Sequence, residues 1–345
     1  MSRRVLITGG TGFLGVHTAR RFLREGWDVS LFDIAPLTAR DLTGQVTYIK
    51  GDVRHAKALD KAMRGVTHVV HTAAALPIQR TKKSIFSTNI IGTKNVIDVS
   101  VKHSITRLIF ISSTAVYGIP EYVPEKEETP LNPIGYYGQS KVEAEKICQS
   151  HMHKDLDITI FRPKTFLGPE RLGVFALWFE AIYTGHRVFI LGKGNNKYQL
   201  LAVSDVVDAI YKGMTSDVTN EIFNLGAKDY QTWKKDLQFV IKYDKSRSKL
   251  TGLPVIPAQF ILRLLDVLHL SPLSLWHYKT MPIPSHVSID KAEKILGWHP
   301  SKSNQDLLLE SYLWYKQHRN KIQSTIGETH RVSWNFRILN LISRL

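Results

Sequence analysis

The chain has 345 residues, a formal net charge of +16 and one cysteine, Cys148. That length supports one large domain or two lobes around a core that needs no disulfide, and a lone cysteine excludes an intrachain bridge. The positive charge points to an anionic ligand or surface, but no zinc-finger spacing, RNP-like aromatic signature or lysine block marks a nucleic-acid module.

In chain order, short β-branched runs alternate with helical periodicity, the pattern of βαβ units on a parallel sheet. Strands are expected at Val5–Thr8, Asp28–Asp33, Val46–Lys50, His68–Thr72, Arg107–Ser112 and Ile158–Arg162. Helices are expected within Val16–Glu25, Ser84–His103 and Gly138–His151. Past Arg162-Pro163 the pattern turns irregular, and Val203–Met214 with Ile222–Leu225 restores it briefly. The expected division is a dinucleotide-binding domain over 1–165, rejoined by 199–226, a substrate lobe over 166–319 and a basic amphipathic tail over 320–345. Arg3-Arg4-Val5-Leu6-Ile7-Thr8 runs straight into the first strand without an apparent signal peptide, so a reducing cytoplasm is the expected compartment.

Gly9, Gly12 and Gly15 close the first strand and open a helix, the context in which glycines admit a pyrophosphate to a helix N-terminus. Asp33 ends the second strand, where a carboxylate accepts hydrogen bonds from the adenosine ribose and disfavours a 2′-phosphate. NAD is therefore expected over NADP. Asp52 follows the third strand at a level suited to the adenine. Tyr137 and Lys141 lie one helical turn apart on one face. A phenol titrates near ~10, so acid/base work at neutral pH requires nearby positive charge.

These residues, with His71-Thr-Ala-Ala74, Asn89-Ile-Ile-Gly-Thr93, Ser112-Ser-Thr-Ala-Val-Tyr-Gly118, Arg162-Pro163, Gly168-Pro169 and Leu296-Gly-Trp-His-Pro300, resemble the extended short-chain dehydrogenase/reductases of the NAD-dependent epimerase/dehydratase group. The resemblance implies a doubly wound α/β Rossmann fold with a smaller interleaved C-terminal lobe, and usually a homodimer through the Ser84–His103 and catalytic helices. It implies Tyr137 as general acid/base, Lys141 as holder of the nicotinamide ribose and Ser113 as partner of the substrate oxygen. Phe13, Leu14, Val53, Thr72, Ala73, Ala74 and Pro163 join the glycines and both aspartates as implied cofactor contacts.

Three departures narrow the reaction. Thr114 and Ala115 follow Ser113 where sugar-nucleotide 4,6-dehydratases carry an acid. Thr165 stands where enzymes of free nucleotide sugars commonly have Asn, and Tyr198 where they have Arg. Lys164, Arg171, Arg187, Lys193 and Lys197 are candidate replacement charges or ordinary surface cations. The expected activity is an epimerase or alcohol/ketone oxidoreductase on a nucleotide-linked or lipid-linked sugar. Open alternatives are a 3β-hydroxysteroid dehydrogenase-like enzyme for an apolar alcohol and a non-catalytic NAD-sensing regulator.

The segment Phe260–Leu270 reads as a packed core helix or the wall of an apolar substrate site, and Arg263, Asp266, His269 and prolines exclude a membrane span over 255–276. Trp334, Ile338, Leu341, Ile342 and Leu345 share one helical face opposite Arg337, Asn340 and Arg344, a pattern for lying on anionic lipid or docking on protein. The Glu121–Glu128 loop reads as a solvated lid. His68 and His71 point to opposite faces of one strand, so no metal site is expected.

Overall fold

The computed structural model describes residues 3–76, 81–267 and 275–324. The chain runs β1 (Arg4–Thr8), α1 (Phe13–Arg24), β2 (Asp28–Asp33), β3 (Thr47–Lys50), α2 (Ala56–Ala62) and β4 (His68–His71). A long helix follows as α3 (Lys82–Phe86), a π turn (Ser87–Ile91) and α4 (Gly92–Lys102), then β5 (Arg107–Ile111), α5 (Gly135–His151) and β6 (Asp157–Pro163). Beyond these come β7 (Phe166–Leu167), α6 (Phe175–Thr184), β8 (Val188–Leu191), β9 (Leu201–Ala202), α7 (Val203–Thr215) and β10 (Ile222–Leu225). The last elements are α8 (Trp233–Tyr243), β11 (Leu250–Leu253), α9 (Val255–Val267), α10 (Leu275–Thr280), α11 (Asp290–Ile295) and α12 (Asn304–Ser324).

The central sheet has seven parallel strands in the order β10-β6-β5-β4-β1-β2-β3. This is the doubly wound Rossmann arrangement, and its crossover beside β1 opens the crevice where such folds bind nucleotides. Alternation within each strand covers both faces: Val5 and Ile7 enter the core under α1 and α7, while Leu6 enters the one under α2, α4 and α5. β10 pairs with β6, so the chain returns to the sheet after leaving it.

A second core gathers Phe175, Trp178, Phe179, Trp233, Leu237, Tyr312 and Tyr315 from α6, α8 and α12. Two small parallel sheets, β8 with β11 and β7 with β9, stitch this lobe together. Helix α12 continues unbroken past residue 320, so the expected tail begins inside a helix. The face carrying Trp334, Ile338, Leu341, Ile342 and Leu345 lies outside the described residues. Among the described residues no helix is long and apolar enough to cross a membrane.

Candidate active site

The loop from β1 to α1 requires glycine for steric reasons. Gly9 has φ +67°, and a Cβ there would lie 2.7 Å from the Ala73 backbone. A Cβ on Gly15 would meet the Gly9 carbonyl oxygen at 2.4 Å. Gly12 is the extended N-cap of α1, whose first turn carries no acidic residue and receives no side-chain cap, which leaves the helix N-terminus available to an anion. Phe13 and Leu14 pack into the core. Thr72 Oγ1 donates to the Thr8 carbonyl at 2.8 Å, fixing the Thr72-Ala73-Ala74 segment against this loop.

The Asp33 carboxylate accepts from the Thr11 amide at 3.1 Å and the Ala35 amide at 3.0 Å, which orients it at the mouth of the loop. The next residue, Ile34, is exposed and carries no charge. Asp52 is already engaged. Arg54 grips both its oxygens, with Nε at 3.0 and 2.9 Å, and this ion pair holds the carboxyl below its usual range. Val53 is buried beneath Gly92.

Tyr137 lies in the first turn of α5, half-buried, with the Ser113 hydroxyl as its hydrogen-bond partner. Its neighbour Tyr136 turns outward onto Phe86, which leaves Tyr137 as the tyrosine at Ser113. Ser113 caps a short 3₁₀ turn, accepting from the Ala115 amide at 3.1 Å. Burial pushes the Tyr137 phenol up, opposed by Ser113 and by the positive charge of Arg171. Lys141 is buried, and its Nζ donates to the Ile111 carbonyl at 2.8 Å; desolvation lowers it to about 8. Arg171 thus supplies positive charge to the Tyr137 phenol, while the Lys141 ammonium is engaged by the Ile111 carbonyl.

Arg171 owes its place to a tight turn. Gly168 and Arg171 exchange backbone hydrogen bonds of 3.3 and 3.2 Å across Glu170, which takes the left-handed φ +76°. Arg20 pairs with Glu170 at 3.1 Å, and the Arg171 guanidinium lies 5.6 Å from the Phe13 ring centroid. Asn89 is a second residue whose role the motif alone does not reveal. From the π turn it accepts from the Ala75 amide at 2.7 Å and donates to Ser140 Oγ at 2.8 Å, and Ser140 in turn donates to the Tyr137 carbonyl. The signal for it was the Asn89-Ile-Ile-Gly-Thr93 motif, and π turns recur at functional sites.

On the substrate side, Tyr198 and Thr165 occupy the registers of the expected Arg and Asn, and they bond to each other. The buried Tyr198 hydroxyl pairs with Thr165 and Thr280, and its ring stacks on Trp233 at 4.5 Å. Lys164 is not a surface cation. It is 2% exposed, donates to Ser285 Oγ at 2.7 Å and sits 5.2 Å from the Tyr198 ring centroid. The solvated-lid expectation for Glu121–Glu128 also needs correction: Glu125 is 3% exposed, and Glu127 accepts from the Asn224 amide at 2.8 Å. Two strand-like backbone bonds, Glu125 to the His286 carbonyl and Ser288 to the Glu125 carbonyl, pull this loop inward. Arg187, Lys193 and Lys197 remain exposed.

Pro163, at the end of β6, follows the buried Arg162, which locks the sheet to α5 through Glu145. His68 and His71 serve the core: His71 bonds Thr8 Oγ1 at 2.6 Å and Thr93 Oγ1 at 3.0 Å, and His68 packs edge-on against Trp27. Among the described residues no group of three potential ligands could hold a metal. Cys148 is fully buried, and burial raises its thiol pKa.

A Rossmann sheet with an uncapped, glycine-lined helix N-terminus and a Ser–Tyr pair at the strand ends defines a dinucleotide-dependent enzyme. The model of the NAD dependent epimerase/dehydratase family matches residues 5–226, and the chain belongs to that family. NAD is the family's cofactor. The uncharacterized protein y4nG of Sinorhizobium fredii is 33% identical over 342 residues, covering 99% of this chain and 85% of y4nG. Human sterol-4-alpha-carboxylate 3-dehydrogenase, decarboxylating, is 32% identical, covering 60% of this chain and 56% of the human enzyme. N-acetyl-alpha-D-glucosaminyl-diphospho-ditrans,octacis-undecaprenol 4-epimerase of Escherichia coli O157:H7 is 30% identical, covering 65% of this chain and 67% of the epimerase. The crystal structure of a UDP-glucose 4-epimerase with UDP-glucose from Thermotoga maritima has a TM-score of 0.78 at 23% identity, covering 92% of this chain and 99% of that one, a likeness of fold.

Proposed function

We propose that the protein is an NAD-dependent epimerase or alcohol/ketone oxidoreductase that acts on a sugar carried by a nucleotide or a lipid. The observation that carries this reading is the Ser113–Tyr137 pair in a Rossmann fold whose glycine loop leads into a helix N-terminus free of side-chain caps. NAD, when bound, accepts or returns a hydride at its nicotinamide. In this reading residues 1–165 with 199–226 hold NAD through Gly9, Gly12, Gly15, Asp33, Asp52 and the Thr72–Ala74 segment, and 166–319 hold the substrate.

Tyr137 takes the proton of a secondary alcohol as its carbon is oxidised and returns it on reduction. Ser113 shares that oxygen and fixes its distance from the phenol. Lys141 would hold the nicotinamide ribose, and its charge with that of Arg171 would stabilise the phenolate. Thr114 and Ala115 supply no carboxylate, so elimination of water is disfavoured.

A dehydrogenase of an apolar alcohol is the second reading. It is favoured by the neutral Tyr198–Thr165–Thr280 set where an Asn and an Arg were expected. A non-catalytic NAD sensor is disfavoured by retention of both Tyr137 and Lys141. Mass spectrometry of the purified, undenatured protein tests these readings, followed by assays on UDP-sugars, polyprenyl-diphosphate sugars and sterol alcohols. Retained NAD and interconversion of a linked sugar are expected. Turnover of sterol alcohols alone would promote the second reading, and no turnover with any class would favour the sensor.

We further propose a homodimer through the Ser84–His103 stretch and α5, supported by exposed Ile91 and Tyr136, and a cytoplasmic location with the 320–345 tail against a membrane. Light scattering showing a monomer at micromolar concentration would refute the dimer. Equal liposome flotation of the full chain and a chain ending near Lys321 would refute the tail's role.

A further inference from the structure

Helix α9 breaks the usual rule for a surface helix. Its inner side is apolar and packed: Ala258 and Leu262 lie against the second core, and Gln259 Nε2 donates to the Tyr278 carbonyl at 2.9 Å. Its outer side is apolar as well, with Ile256 83%, Phe260 71%, Ile261 56% and Leu264 53% exposed. Ile256, Phe260 and Leu264 follow at steps of four, so they form one stripe. An apolar stripe on a helix is ordinarily covered. Four large side chains facing water on one short helix therefore call for a second cover.

The charge around the stripe says what kind. From Ser246 to Ser285 the chain carries the cations Arg247, Lys249, Arg263 and Lys279 against the single acid Asp266. All four cations are exposed. A segment with that surplus of exposed cations repels a second copy of itself and attracts an anionic surface. We propose that the outer face of α9 docks on an anionic lipid bilayer, with Ile256, Phe260, Ile261 and Leu264 sunk among the acyl chains and Arg263 at the phosphates.

The docked face is one short helix away from the reactive tyrosine. α10 packs on α9, and its Leu275 Cδ2 lies 4.0 Å from where a Cβ on Gly135 would be, two residues before Tyr137. The far end of α10 supplies Thr280, a partner of the Tyr198 hydroxyl. The α9–α10 pair thus spans from the exposed stripe to the substrate side of the site. A substrate with an apolar chain would enter from the bilayer along it, a consequence that rests on the function proposed above.

The test is sedimentation of the full-length protein with phosphatidylcholine vesicles, with and without phosphatidylglycerol. The wild type should bind the anionic vesicles and release with salt. The variant Ile256→Glu/Phe260→Glu/Leu264→Glu should bind about tenfold less or weaker, with NAD binding intact as the check on folding. Binding equal to wild type would assign any docking to another part of the chain and overturn the proposal. So would a wild type that ignores anionic vesicles, or a wild-type oligomer that the variant dissolves, since the stripe would then be covered by a second copy. If docking holds but no linked sugar is turned over, the functional reading fails and the docking surface stands.

Discussion

Two buried cation–carboxylate pairs, one between the sheet and α5 and one facing the substrate lobe, are built to different specifications. In the cofactor half Arg162 and Glu145 meet as a fork, with Nε to Oε1 at 3.0 Å and Nη2 to Oε2 at 2.6 Å. Arg162 Nη1 also donates to the Tyr117 hydroxyl at 2.8 Å, and that hydroxyl donates to Asn224 at 2.8 Å. On the substrate side of the site Lys164 and Glu125 feel each other's charge, yet Lys164 gives its short hydrogen bond to Ser285. Burial lowers Lys164 to about 8 and raises Glu125 to about 7. A guanidinium fork stays charged at any working pH, whereas an ammonium and a carboxyl without a fork can lose their charges. The cofactor half is thus fixed by permanent charge and sterics, and the substrate side by groups that can still titrate.

The sharpest way to isolate the cofactor half's chemistry is Tyr137→Phe. Losing the proton carrier while keeping ring, helix and glycine loop should lower kcat about 10²–10⁴-fold, with NAD affinity by titration calorimetry nearly unchanged. Wild-type turnover in the purified variant would sink the assignment. Breaking the permanent pair comes next. Arg162→Met leaves Glu145 buried without its cation and should cost about 3–5 kcal/mol in denaturant unfolding. A cost near zero would mean that the fork is no more structural than a surface pair.

The same contrast explains what could be read before folding. Gly9, Gly15, Asp33, Tyr137 and Lys141 were legible because their constraints are local: a turn that excludes Cβ, a carboxylate at a strand end, a four-residue spacing on a helix. The strands were legible for the same reason, with bounds within a residue or so of those expected. Lys164 and Glu125 were not, because their burial depends on pairings with Ser285, His286 and Ser288 that are distant in sequence. Helix α9 misled in the opposite direction. Its apolar run reads as core, but only one of its sides finds a partner among the described residues. Arg171 was recognisable as a charge, while its target became visible only once the Gly168–Arg171 turn set it over Phe13.

Arg171→Gln probes the border between the halves. Its charge holds the Tyr137 phenol down against burial. Removing that charge should raise the phenol's pKa and move the pH profile of kcat/KM for alcohol oxidation to the alkaline side by up to about one unit, with about a tenfold loss at neutral pH. An unmoved profile would leave Arg171 as a packing residue of the turn.

The smallest effect expected is also the one that separates the two pairs most directly. Glu125 titrates at about 7 in the folded protein, above its ordinary 4.5, so folding favours its protonated form. Its contribution to stability is complete below about 4.5 and is lost as pH rises through about 7. Lys164, lowered to about 8 from 10.5, contributes fully above the latter value and loses that contribution as pH falls through about 8. Glu125→Gln removes the first decline and deprives Lys164 of its counter-charge, which drives the lysine lower still. The difference in Tm between variant and wild type, followed from pH 4.5 to 8, should therefore slope upward with pH. Arg162 predicts no such slope, because its guanidinium stays charged throughout that range. A flat difference would mean that Glu125 stays ionised throughout, and that the substrate side is held by the same kind of fixed charge as the cofactor half.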